Sequence, residues 1–199
     1  MKIRITETVI KYREEDLTAW KNIEEKMKLL EGYSPPQDVF NQPTYHFGEY
    51  FVLNYFKKAQ WSGYRFYALG EWEPNNPKVL EGREKIKEMF TIQKLEEFRR
   101  QRVLSGHAAG QGEPDLFLYM ESGPTLFLEV KKGGDRVSPA QLTCLAQIKA
   151  ILEADVGIVY LAKYGQKYKP KTYELNLETF EGCLHVSPEE KSNISNVSV

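Results

Sequence analysis

Three consecutive segments in the second half of the chain restrict its fold more than any other feature. Thr125–Lys132 is an apolar run closed by two lysines. Ser138–Leu152 sets Leu142, Leu145, Ile148 and Leu152 on one helical stripe, and Gly157–Ala162 is apolar throughout. A run without polar alternation marks a strand buried on both faces. Strand, helix and second buried strand together predict a right-handed βαβ unit with parallel strands. Leu116–Met120 and the turn Glu121-Ser122-Gly123-Pro124 place an antiparallel hairpin ahead of it. The fold class expected is α/β, with a central mixed sheet flanked by helices.

The flanking segments read less sharply. Lys2–Lys11 alternates loosely as a strand, and Glu14–Leu30 carries Leu17, Trp20, Ile23, Met27 and Leu30 on one helical face. Gly32–Pro43 reads as a linker, which sets residues 1–43 apart as an N-terminal strand-helix extension. Phe47–Lys58 predicts a buried helix, stopped by Trp61-Ser62-Gly63. Tyr64–Leu69 looks like a strand. Asn76 and Pro77 form an N-cap and first-turn pair opening one or two charged helices to Arg102, with a small-residue loop at Ser105–Gly112. The main domain is expected over residues 44–186 and a disordered tail over 187–199.

At 199 residues and 41% hydrophobic content the chain can build one core without staples. No run approaches the ~20 apolar residues of a membrane span, and Met1–Thr8 lacks a signal sequence's apolar stretch. Cys144 and Cys183 belong to no paired-cysteine motif, so neither a disulfide scaffold nor a structural zinc site is expected. These readings predict a protein of a reducing, cytoplasmic compartment (nuclear in a eukaryote) with no membrane partner. The 27 basic and 28 acidic residues leave a net charge of −1, which excludes coating nucleic acid by bulk charge. Two local stretches remain basic. Asn54–Gln111 has eleven Lys/Arg against seven Asp/Glu and ends near Arg102. Lys163–Lys171 offers Lys163, Lys167 and Lys169 interleaved with Tyr164 and Tyr168. A solvated face explains either stretch equally well.

Chemistry concentrates around Pro114-Asp115 and Glu129-Val130-Lys131. Strand alternation puts Glu129 and Lys131 on one face, and hairpin pairing brings Asp115 beside them. Two carboxylates and an ammonium then meet at one sheet edge, a donor set suited to Mg²⁺. A Glu–Lys ion pair is the plainer alternative, since a buried carboxylate needs a cation in either case. Ser138-Pro139-Ala140-Gln141 is a capping box, which alone accounts for Gln141. The same helix start lies near the strand end, where Lys132, Arg136 and the helix N-terminus suit a phosphate. Glu49 is either a first-turn acid favoured by the helix dipole or a further carboxylate for the same cation. His46 and His107 are expected at the surface or at caps, and Glu113 either extends the acidic cluster or faces solvent.

Gly112-Glu113-Pro114-Asp115-Leu116, Glu129-Val130-Lys131, Gly134-Asp135-Arg136-Val137-Ser138 and Gln141 resemble the virus-type replication-repair nuclease (VRR-NUC) domain. That domain belongs to the PD-(D/E)XK restriction-endonuclease-like superfamily, and the close match spans about Gly106–Lys163. The resemblance implies a restriction-endonuclease-like core with Asp115 and Glu129 as metal ligands and Lys131 as catalytic lysine. It further implies a metal contact from the Val130 carbonyl and a place for Gln141 near the attacking water or the metal. Glu49 would be the superfamily's first acidic motif, and Ser138 belongs to the nucleic-acid-facing element with Lys132 and Arg136. Glu113 departs from the apolar residue usual in the family, and Gln111 from a basic one.

The expected function is a Mg²⁺-dependent deoxyribonuclease, with Mn²⁺ able to substitute, acting on flaps, junctions or ends in repair, replication or phage biology. Branched or single-stranded DNA is the expected partner, and cutting both strands of a junction would call for a homodimer. A nuclease toxin of the same fold, a non-catalytic nucleic-acid-binding module and an unrelated interaction protein are the alternatives.

Overall fold

The structure is a computed structural model of the chain, and it describes residues 1–33, 38–41, 43–70, 77–108, 110–180 and 182–188. Seven strands form one sheet in the order β2-β3-β4-β5-β1-β6-β7. They are β1 (Lys2–Tyr12), β2 (Ser62–Tyr64), β3 (Leu116–Tyr119), β4 (Thr125–Lys132), β5 (Asp155–Lys163), β6 (Thr172–Phe180) and β7 (Cys183–Pro188). The three central strands β4, β5 and β1 run parallel, and every other pairing is antiparallel. Helices cover both faces, so the class is α/β with a mixed sheet.

The βαβ unit is present. Helix α7 (Pro139–Gln147) and a π-helical turn (Ile148–Leu152) carry β4 into β5, and the two strands pair with Glu129 opposite Ile158. Alternation along β4 sorts its side chains. Leu126, Leu128 and Val130 join Trp20, Phe47, Tyr50 and Leu53 beneath helix α4 (Phe47–Lys57). Phe127 points the other way, into a cluster with Phe98, Phe117, Cys144 and Ile148. Phe117 and Phe127 stack across the hairpin with centroids 4.9 Å apart. Each such side chain contributes roughly 1.5–3 kcal/mol on burial. Helix α4 approaches the sheet closely through Gly48, where a Cβ would lie 3.2 Å from Leu161 and 3.4 Å from Val130.

Several elements differ from expectation. The helix read over Glu14–Leu30 is two, α1 (Glu14–Lys21) and α2 (Ile23–Leu29). Asn22 divides them, because its side chain accepts the Glu24 and Glu25 N–H groups as a new N-cap. A four-residue helix, α3 (Asp38–Asn41), lies in the segment read as a linker. The strand expected at Tyr64–Leu69 is confined to β2. The charged stretch is two helices, α5 (Pro77–Met89) and α6 (Ile92–Leu104), while the Asn76 cap lies outside the described residues. Strands β6 and β7 were not anticipated, and most of the expected tail is outside the described residues. The N-terminal strand exists, and it lies inside the sheet between β5 and β6. No helix among the described residues is long and apolar enough to cross a membrane.

Candidate active site

Strand β3 starts one residue after Asp115, so at Val130 the longer β4 has outrun its neighbour. The Asp115 carboxylate takes over that edge, with Oδ2 accepting the Val130 N–H at 2.8 Å. A strand residue turns its N–H and C=O to the same side, so the Val130 carbonyl faces the same edge. Glu129 lies on the α7 face and is 2% exposed. Its Oε1 accepts from Gln141 Nε2 at 2.5 Å and lies 2.7 Å from Lys131 Nζ. Its Oε2 is buried with no N–H or hydroxyl donor among the described residues, and the carboxyl stands within hydrogen-bonding reach of Asp115. The capping box of α7 aims Gln141: its Oε1 accepts the Ser138 N–H at 2.9 Å, which leaves the amide nitrogen for Glu129.

Burial pushes the Glu129 carboxyl up to about 8, the neighbouring Asp115 charge adds to this, and Lys131 opposes it. Asp115 is raised as well, first by burial, against the Val130 N–H. Two buried acids facing one ammonium make a centre short of positive charge. The Glu129 oxygen without a donor, the Asp115 carboxylate and the Val130 carbonyl fit a hard divalent cation, which takes one or two carboxylates and fills its remaining positions with water or phosphate oxygens. Among the described residues no group of three or more His, Cys, Asp or Glu is arranged to hold a metal.

Glu49 lies across the sheet edge, on the α4 side. It shares a cleft of about 250 Å³ with Asp115, Val130, Lys132 and Asp135. Its Oε1 is 2.6 Å from His46 Nδ1 and 3.5 Å from Arg65 Nη2. Burial raises the Glu49 carboxyl, but hydrogen bonds from His46 and from its own backbone N–H, with the Arg65 charge behind them, outweigh it and leave the group below its ordinary value. Of the two places expected for His46, surface and cap, the second holds: it is the N-cap residue of α4, in a left-handed conformation and without a side-chain cap bond, and it is buried between Glu49 and Arg65. Sequence reasoning passed over Arg65, although His46 and Glu49 stand one helical turn apart.

The segment entering Asp115 is fixed from three sides. The Glu113 carboxylate turns inward and accepts the Leu69 and Gly70 N–H groups at 3.2 and 2.9 Å; burial raises it to about 7. It therefore neither joins the acidic cluster nor faces solvent. Tyr67 donates its hydroxyl to the Pro114 carbonyl at 2.5 Å. Arg102 donates to the Gln111 carbonyl and, at 3.0 Å, to Gln147 Oε1. Arg102 is fully buried, which corrects its expected role in touching nucleic acid: its guanidinium ties α6, α7 and the segment before Asp115 together. Lys132 and Arg136 are exposed beside the site, and Ser138 is engaged in the capping box. Lys163 pairs with Glu14 at 2.7 Å, and Lys167 and Lys169 line a separate recess with Lys11.

A family model described as the VRR-NUC domain matches residues 60–160, which include Asp115, Glu129, Lys131 and Gln141 but not Glu49. No curated protein matches the chain. Among solved structures, a crystal structure of paFAN1 bound to 2nt 5′flap DNA with gap is 17% identical over 76% of this chain, with a TM-score of 0.37. This chain spans about a quarter of the length of that one, at 26% coverage.

Proposed function

The chain belongs to the VRR-NUC domain family, and from that premise we propose that it is a divalent-metal-dependent nuclease hydrolysing DNA phosphodiester bonds at structure-specific positions such as flaps, junctions or ends. The single observation supporting this most strongly is Glu129: a buried carboxyl with one oxygen held by Lys131 and Gln141 and the other given no donor but set beside a second buried acid, Asp115. A purely structural ion pair gains nothing from a second buried acid beside it, which raises the cost of ionising both.

In this reading Asp115, Glu129 and the Val130 carbonyl hold Mg²⁺ or Mn²⁺. The bound cation supplies Lewis-acid polarisation of the scissile phosphate and neutralises the leaving oxygen. Lys131 compensates Glu129, favouring its ionised form, and its remaining N–H donors are available to orient water for in-line attack. Gln141 fixes the Glu129 rotamer from the start of α7. Glu49, steadied by His46 and Arg65, adds negative charge to the Asp115 side of the cleft. Lys132 and Arg136 offer their cations to flanking phosphates, and Lys163, Lys167 and Lys169 a more distant track.

The test compares Mg²⁺-dependent cleavage of end-labelled flap, junction, single-stranded and duplex DNA by the wild type and by Asp115→Asn, Glu129→Gln and Lys131→Met. Each variant is expected to lose at least about a hundredfold in rate while still binding DNA. Cleavage by Glu129→Gln at the wild-type rate would overturn the assignment.

A further inference from the structure

Around the β2 edge of the sheet, next to the cleft just described, lies a second recess of about 290 Å³. Tyr33 and Trp61 line it on the α4 side and Tyr64 and Tyr119 on the opposite face, with Lys57 and Arg65 at its margin. Tyr64 and Tyr119 stack on each other across β2 and β3, 12° from parallel with centroids 6.1 Å apart. Trp61 is held edge-on by Phe56 at 6.1 Å and is only half-buried. The Lys57 ammonium sits 5.2 Å above the Tyr33 ring. Arg65 joins the two cavities: it lines the recess and also reaches His46 and Glu49 in the neighbouring cleft.

We propose that this recess receives one unpaired nucleotide of a DNA substrate, its base against Tyr33 and Trp61 and its phosphate toward Lys57 and Arg65. The proposal rests on the nuclease reading for its substrate and extends it: the preferred DNA carries an unpaired nucleotide beside the position presented to Asp115. The volume is at the small end of ligand pockets, which suits a single nucleotide and no longer segment. Stacking of a base on aromatic rings tolerates any base. Lys57 spends one donor on the Glu31 carbonyl at 3.2 Å, and an ammonium has three. Arg65 engages Nε and Nη2, two of the three guanidinium nitrogens. Both cations thus retain capacity for an anion. The one acid lining the recess, Glu81, is exposed to solvent.

The experiment measures binding without divalent metal, using a duplex with one unpaired 2-aminopurine nucleotide at a gap and a fully paired duplex of the same sequence. In the wild type the 2-aminopurine emission is expected to quench on binding. Trp61→Ala and Tyr33→Ala are each expected to weaken binding of the gapped probe about tenfold and to abolish the quench, with binding of the paired duplex unchanged. Trp61→Phe, which keeps a ring, should restore most of both and shows that the Ala variant fails by loss of stacking. Lys57→Ala should lower the salt dependence for the gapped probe by about one phosphate contact. Equal binding of both probes by wild type and Trp61→Ala, in folded protein, overturns the proposal. Quenching without Mg²⁺-dependent cleavage of any DNA would defeat the nuclease reading and leave the recess standing. Cleavage of gapped DNA indifferent to Trp61→Ala would do the reverse.

Discussion

Glu129 has the least favourable environment of any carboxylate in the site, and its consequences can be measured without assaying cleavage. In the metal-free folded protein burial and Asp115 lift it to about 8, whereas in an unfolded chain it titrates near 4.3. Between those values the folded state binds the extra proton, so stability falls as pH rises through the interval and levels off above about 8. Urea unfolding in chelator at about pH 5 and pH 8.5 should show the wild type losing more stability than Glu129→Gln, by on the order of 3 kcal/mol. An identical slope in both proteins would mean that Glu129 is not buried as a charged group. Mg²⁺ held at the proposed site would reverse the cost, since it would bind the folded site and not the unfolded chain. Its addition at pH 8 is expected to raise the melting temperature of the wild type by several degrees and of Glu129→Gln or Asp115→Asn hardly at all. Calorimetric melts with and without Mg²⁺ check this directly.

Among the elements, the segment from Gln111 to Asp115 controls how well a site on two strands and a helix is assembled. Gly112 has φ +76°, and a Cβ there would lie 2.7 Å from the backbone of Ala140 at the start of α7. Gly112→Ala must therefore part the segment from α7, at a cost of about 2–4 kcal/mol. Because Asp115 and Gln141 sit on the two pieces driven apart, cleavage measured below the melting transition should fall further than global unfolding explains. Arg102→Ala acts on the same segment from beneath, freeing the Gln111 carbonyl and Gln147; thermal unfolding should show a loss of about 3 kcal/mol. What the sequence revealed at this scale follows how local each signal is. The β4–α7–β5 unit rests on periodicity within single segments, and Asp115, Glu129, Lys131 and Gln141 come together through one hairpin and one capping box. Arg102 could not be read as buried, because its partners Gln111 and Gln147 lie on other elements and its own helix looks charged throughout. The burial of His46 was hidden for a similar reason: it depends on Arg65, which comes from beyond α4. The alternation of Tyr173, Leu175 and Leu177 in β6 was visible, but it follows a lysine-rich stretch that drew a different reading.

For the whole molecule the position of β1 decides what counts as the nuclease fold. The sequence sets residues 1–43 apart because a proline-containing stretch follows them, yet register is a long-range property and β1 pairs with strands some 150 residues later in the chain: Glu7 opposite Ile158 of β5, and Ile5 opposite Tyr173 of β6. Ile3, Ile5 and Ile10 are buried, which at about 2 kcal/mol each is comparable to the whole net stability of a domain. Glu7 continues the alternation of Ile3 and Ile5 and is buried on their face, whereas Ile10 faces the α4 cluster. Its carboxylate accepts the Tyr168 hydroxyl at 2.6 Å, the Tyr173 hydroxyl at 2.9 Å and the Lys171 N–H at 2.8 Å. The strand therefore links the half of the sheet that carries Glu129 to the half that carries β6 and β7. Removing residues 1–12 would leave β5 and β6 facing a gap one strand wide, with two unpaired edges. Such a protein is expected to show no cooperative thermal transition and no Mg²⁺-induced stabilisation, although every residue of Asp115, Glu129, Lys131 and Gln141 is retained. Glu7→Ala is the milder version: it leaves two tyrosine hydroxyls and one N–H unmatched, and should lower stability by about 2–4 kcal/mol while the surviving folded fraction cleaves normally. If the truncated chain instead melted cooperatively and still responded to Mg²⁺, β4 and β5 would form the site without β1, and the N-terminal strand would be an addition to the sheet.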